Sequence, residues 1–105
     1  MDKDKQVLKK IKSAISQTDP KAEVILYGSR ARGNAHRNSD WDLLILLKSK
    51  NISIDLEKAF MDAIYEVEIE TGEVISPLIY TKKYWIDKKS YLPLFENIQK
   101  EGIHI

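Results

Sequence analysis

Apolar residues fall at helical spacing in some stretches of the chain and in short unbroken runs in others, and the way these alternate predicts the order of elements. Val7, Leu8, Ile11, Ala14 and Ile15 fall at helical spacing with lysines between them, which predicts an amphipathic helix ending before Pro20. Glu23 to Tyr27 is short, apolar and β-prone, and Gly28 closes it, so it reads as a first strand. Ser29 to Gly33 can open a short helix, and Asn34 to Ser39 is polar and loop-like. From Trp41 to Leu47 every residue but Asp42 is apolar, the pattern of a central strand buried on both faces. The polar run Lys48-Ser49-Lys50-Asn51 ends it.

A second amphipathic helix follows. Ser53 is its expected N-cap, and Asp55 and Glu57 lie in the first turn, where the helix dipole favours acids. Leu56, Ala59, Phe60, Ala63, Ile64 and Val67 mark one apolar face as far as Thr71-Gly72. Glu73 to Tyr80 reads as a third strand, which Pro77 confines to an edge or a bulge because proline cannot donate to a ladder. Tyr84 and Trp85 lie in a short lysine-rich segment, and Leu94, Phe95 and Ile98 predict a last short helix after Pro93, closed by Gly102. The fold class expected is α/β (α+β), a small mixed sheet with helices packed on it. One domain spans 1–105, with a motif core at 24–80 and a helical tail at 81–105.

Composition narrows this mainly by exclusion. At 105 residues and 12.2 kDa there is room for one modest core, and 43% apolar with 31% charged residues is ordinary for a globular chain. Seventeen basic and 16 acidic residues leave a formal charge of +1, which argues against a protein that coats nucleic acid. The absence of cysteine excludes a disulfide scaffold, a thiolate zinc site and a cysteine nucleophile. Met1 to Lys5 lacks the apolar stretch of a signal peptide, and the longest apolar run, Leu43 to Leu47, is far short of a membrane span, so a cytoplasmic location is expected.

The chemistry is concentrated in two places. Asp40 and Asp42 lie two apart on a predicted strand, so both carboxylates point to one face while Trp41 points to the other. Two like charges side by side near a buried strand are costly unless a cation neutralises them. Mg²⁺ suits such a pair, since it takes one or two protein carboxylates and fills its octahedron with water and substrate phosphates. Upstream, Gly28-Ser29 stands where a strand passes into a helical turn; glycine admits a phosphate close to the backbone, and the N–H groups of the turn with the Ser29 hydroxyl can bind its oxygens. Arg30 and Arg32 add positive charge nearby, as phosphate contacts, loop supports or solvated side chains.

Gly28-Ser29-Arg30-Ala31-Arg32-Gly33 followed by Ser39-Asp40-Trp41-Asp42-Leu43-Leu44-Ile45 resembles the signature of the DNA polymerase beta-like nucleotidyltransferase superfamily, and in size most resembles its minimal nucleotidyltransferases. The resemblance implies the polymerase beta-like nucleotidyltransferase fold and metal-dependent transfer of a nucleoside monophosphate, AMP in the first instance, from ATP or another nucleoside triphosphate to a hydroxyl acceptor. Mg²⁺ or Mn²⁺ would be ligated by Asp40 and Asp42, and the triphosphate bound by Gly28 and Ser29, with Arg30 and Arg32 as weaker assignments. It also implies a small helical partner protein of the HEPN type, in a toxin–antitoxin pair, whose tyrosine is the acceptor; a homo-oligomer is the alternative. The family usually carries a third carboxylate on the next strand. That position falls here on Ser76 or Pro77, with Glu73 or Glu70 as displaced stand-ins for a metal ligand. A catalytically weak or inactive antitoxin that acts by contact alone is therefore the competing expectation.

The remaining candidates have plainer readings. His36 and His104 are surface residues with no metal-ligand spacing, and Trp41 is core on the back of the sheet. Tyr84, Trp85 and Tyr91, interleaved with Lys82, Lys83, Lys88 and Lys89, form either a base-stacking surface or packing residues with snorkelling lysines.

Overall fold

The computed structural model describes residues 3–88 and 90–105. A four-stranded sheet in the order β3-β2-β1-β4 forms its middle layer, with β1 Glu23–Tyr27, β2 Trp41–Leu47, β3 Ile75–Thr81 and β4 Ile103–His104. β1 runs antiparallel to both its neighbours and β3 runs parallel to β2, so the sheet is mixed as expected. Helices α1 (Lys3–Thr18) and α3 (Ile54–Thr71) cover one face, while α4 (Lys82–Lys88) and α5 (Pro93–Glu101) cover the other. The short α2 (Ser29–Arg32) links β1 to β2.

β2 explains this layering. Its alternate residues feed two separate cores: Trp41, Leu43, Ile45 and Leu47 pack against Val7, Ile11 and Ile15 of α1 and Phe60, Ile64 and Val67 of α3. Leu44 and Leu46 pack with Trp85 of α4 and with Phe95 and Ile98 of α5. A strand buried on both faces must be apolar throughout, which is why Asp42 alone departs from full burial. The parallel β2–β3 pair needs a crossover, and α3 supplies it. Ser53 caps that helix as predicted, its hydroxyl accepting from the Leu56 N–H at 3.1 Å.

Two details differ from the pattern in the sequence. The third strand starts at Ile75 rather than Glu73: the Trp41 N–H makes the first rung with the Val74 carbonyl at 2.9 Å, and the Ile75 N–H donates to the Glu68 carboxylate at 2.9 Å. It is an edge strand, which accommodates Pro77. The tail ends in a strand of its own: β4 pairs with β1, and the Ile105 N–H donates to the Val24 carbonyl at 3.0 Å. Two residues carry too little periodicity to announce such an element. Of the aromatic segment, Trp85 is buried against Phe95 with ring centroids 4.6 Å apart and Tyr84 stacks on Tyr80, whereas Tyr91 is exposed. Packing accounts for the first two; Lys89 lies outside the described residues. Among the described residues no helix is long and apolar enough to cross a membrane.

Ile45 contacts the larger core from the middle of β2 with no exposed surface. Replacing it by alanine is expected to lower unfolding free energy by about 2–5 kcal/mol, read from the midpoint of urea denaturation at unchanged slope.

Candidate active site

Strand pairing brings the two motifs together. In the antiparallel β1–β2 ladder Tyr27 lies opposite Asp42, so the end of β1, with Gly28 just beyond it, adjoins the beginning of β2. In the parallel β2–β3 ladder Ser76 lies beside Asp42. The Ser76 hydroxyl donates to Asp40 Oδ2 at 3.1 Å, which places Asp40, Asp42 and Ser76 on one face and leaves Trp41 to the α1–α3 core behind.

Gly28 has φ 75° and ψ −159°, a conformation that residues with a Cβ rarely adopt. A Cβ there would also collide with the Asp42 carboxylate. The glycine is thus demanded twice, by the bend and by the clearance that brings the backbone onto Asp42. No side chain caps α2, whose Ala31 and Arg32 N–H groups both return to the Gly28 carbonyl at 3.1 Å.

The electrostatics record the crowding. The Asp42 carboxyl lies above its ordinary range, first because it is partly buried and second because Asp40 repels its charge, with Arg32 opposing both. The Tyr27 phenol is pushed up to about 12 by burial and by Asp42 and Tyr80, so it stays a neutral hydroxyl beside the carboxylate at physiological pH. Arg32 reaches Glu101, at the end of α5, from Nη1 to both carboxylate oxygens at 3.1 and 3.2 Å. The Gly28 N–H donates to the same carboxylate at 3.3 Å. A carboxylate therefore rests on the turn expected to hold phosphate. Sequence reasoning missed both Tyr27 and Glu101. Tyr27 was readable from its place one residue before Gly28; Glu101 lies 73 residues away and gave no signal.

Of the residues singled out from sequence, Gly28, Ser29, Arg32, Asp40 and Asp42 converge here, and Arg30, Glu73 and Glu70 do not. Arg30 turns to the opposite face, where its guanidinium stacks 4.4 Å over the Trp41 ring and Nη2 donates to the Ser39 carbonyl at 3.0 Å. It braces the loop and does not face the aspartate pair, because residues two apart in a helical turn leave on nearly opposite sides. Glu73 precedes β3 and sits on the Trp41 side, 3.7 Å from Lys3 Nζ. Glu70 is engaged by Lys10 at 2.7 Å. Neither glutamate stands in for the third carboxylate; Ser76 occupies the place beside the pair. Among the described residues no group of three His, Cys, Asp or Glu side chains could hold a metal. Two carboxylates whose mutual repulsion is only partly offset by Arg32 do fit a divalent cation, provided that water and phosphate complete its shell.

A family model for the nucleotidyltransferase domain matches residues 8–94, most of the chain and every residue of this site but Glu101. The chain belongs to the nucleotidyltransferase family. It is 35% identical over 94 residues, 88% of this chain and 91% of the other, to a Methanocaldococcus jannaschii protein that carries the provisional designation protein adenylyltransferase. Its fold matches a chain of a toxin–antitoxin crystal structure determined with AMP-PNP at a TM-score of 0.63, covering 91% of this chain and 69% of that one at 18% identity. This nucleotidyltransferase is accordingly an enzyme of nucleotidyl transfer, with the glycine-serine turn and the aspartate pair on adjoining strands.

The raised Asp42 carboxyl has a consequence for stability. Between the ordinary aspartate value of 3.8 and its higher value in the fold, the native state holds more proton than the unfolded chain, so stability falls as pH rises through that window. Without metal, Asp42→Asn is expected to melt above the wild type at neutral pH, with the gap closing towards pH 3.8. Melting temperatures of both proteins across that range test this.

Proposed function

We propose that this nucleotidyltransferase moves a nucleoside monophosphate, AMP from ATP, onto a hydroxyl of a protein, and that the acceptor is a tyrosine of a small helical partner in a toxin–antitoxin pair. The observation that carries the reaction is the placement of Asp40, just before β2, and Asp42, within it, towards one face of the sheet, with the Gly28 backbone pressed against Asp42. Asp40 and Asp42 would hold one or two divalent ions, Mg²⁺ or Mn²⁺, which when bound neutralise phosphate charge and favour departure of pyrophosphate. Gly28 and Ser29 receive the triphosphate at the turn, and Ser76 fixes the Asp40 carboxylate by its hydrogen bond. Arg32 supplies positive charge beside the aspartates. The acceptor oxygen bonds to the α-phosphorus as the bond to the bridging oxygen breaks. Its proton must pass to Asp40, Asp42 or solvent, since Ser76 has no carboxylate to offer.

A protein acceptor is supported by the archaeal relative's designation, and a toxin–antitoxin setting by the likeness in fold. HEPN-type identity for the partner follows only from the resemblance of the motifs. Two observations favour a second reading, in which the protein neutralises its partner by contact alone. Ser76 replaces the third carboxylate, and Glu101 sits on the Gly28 N–H and Arg32.

Incubation with Mg²⁺ or Mn²⁺, ATP labelled at the α-phosphate and the protein encoded beside it separates the two. Label on a partner tyrosine is expected, and Asp40→Asn with Asp42→Asn should lower it by about 10²-fold or more, since metal charge stabilisation is worth several kcal/mol. Tight partner binding that survives the double change, with no labelling by the wild type, establishes the contact-only reading instead.

A further inference from the structure

Behind β2, on the face away from Asp40 and Asp42, lies a cavity of about 510 Å³ that the transfer reaction does not use. Its walls include Arg30 and Trp41, stacked on one another at 4.4 Å. Trp41 is only 1% exposed and the Arg30 side chain 7%, yet Trp41 Nε1 and Arg30 Nε are both buried donors from which no group among the described residues accepts. Native proteins rarely leave a buried N–H unmatched, and two on stacked neighbours are rarer still. Arg30 cannot turn to relieve its own, because Nη2 is held by the Ser39 carbonyl at 3.0 Å and Nη1 by Asp4 at 3.4 Å.

The surroundings indicate what would satisfy both donors. Lys3, Arg30 and Arg37 bring three cations to the walls against two carboxylates, Asp4 and Glu73. Each acid already faces a base, Asp4 towards Arg30 and Glu73 at 3.7 Å from Lys3. That leaves Arg37, beside the His36 imidazole, on the cavity wall. Leu8 and Leu26 give it an apolar side, which strengthens any charged hydrogen bond made inside. We propose that this cavity is a second ligand site, for a small oxyanion of the phosphate or carboxylate class, whose oxygens accept from Trp41 Nε1 and Arg30 Nε. Trp41 lies between Asp40 and Asp42, and Arg30 directly follows Ser29, so an occupant grips both halves of the transfer site from behind. The binding itself does not depend on the proposed transfer reaction.

The test observes the two indole N–H signals of ¹⁵N-labelled full-length protein, Trp41 being assigned by its loss in Trp41→Phe. Inorganic phosphate, acetate and chloride are titrated at constant ionic strength. A saturable shift of the Trp41 signal with phosphate or acetate but not chloride is expected, with Trp85 unmoved, and whichever oxyanion saturates at lower concentration identifies the class. Arg30→Lys keeps the charge but removes Nε–H, and should weaken the binding by at least about tenfold. Trp41→Phe keeps a ring beneath Arg30 and should weaken it similarly by equilibrium dialysis. Arg32→Ala, on the other face, should leave the affinity unchanged. The proposal is overturned if no oxyanion shifts Trp41 saturably, if chloride acts equally, or if Arg30→Lys binds as well as the wild type. Loss of the response in Arg32→Ala also overturns it, by placing the anion in the Gly28 turn.

Discussion

Two aspartate carboxylates held side by side at the head of a buried strand are the constraint around which this molecule is arranged. Burial and the charge of Asp40 both work against ionisation of Asp42, and Arg32 relieves that only in part. The rest of β2 is apolar and fully buried on both faces, so the strand's position is fixed by two hydrophobic cores and not by the acids. Stability bought elsewhere in the fold maintains an unfavourable electrostatic arrangement at one end. Such an arrangement is useful to a protein that binds a divalent cation together with phosphate.

Strand polarity makes the arrangement a site. Because β1 and β2 are antiparallel, the turn that ends β1 falls beside the acids that begin β2, and because β3 is parallel to β2 its own first residues arrive at the same end. Gly28 then approaches Asp42 as closely as only a residue without a side chain can. A departure from the family pattern is visible in the same geometry. Ser76, where a third carboxylate is usual, supplies a hydrogen bond to Asp40 rather than a charge. It can orient a ligand but cannot serve as an anionic base.

Most of this was legible from residue types. The short apolar run of Glu23 to Tyr27, the longer one of β2 and the heptad-like face of α3 each specify an element, since burial on two faces or along a helical stripe demands those patterns. The spacing of Asp40 and Asp42 sufficed to place them on one face. What the sequence concealed depends on directions and distant partners. That Arg30 leaves its turn towards Trp41 while Arg32 leaves towards Asp42 is set by the path of a four-residue helix. That Glu73 lies behind the sheet, ahead of a strand that begins only at Ile75, is marked by no local preference. Glu101 and the β4 strand reach the site and the sheet edge from the far end of the chain, where no local pattern links them to Gly28 or Val24.

The central claim, that Asp40 and Asp42 grip a divalent ion jointly with a nucleotide held at Gly28, is tested most directly by Mn²⁺ binding followed by electron paramagnetic resonance. Titrated with and without a non-hydrolysable ATP analogue, the wild type should bind Mn²⁺ weakly alone and markedly tighter with the nucleotide, and Asp40→Asn with Asp42→Asn should lose that enhancement. Equal Mn²⁺ affinity in the wild type and the doubly substituted protein, with nucleotide present, would contradict the account.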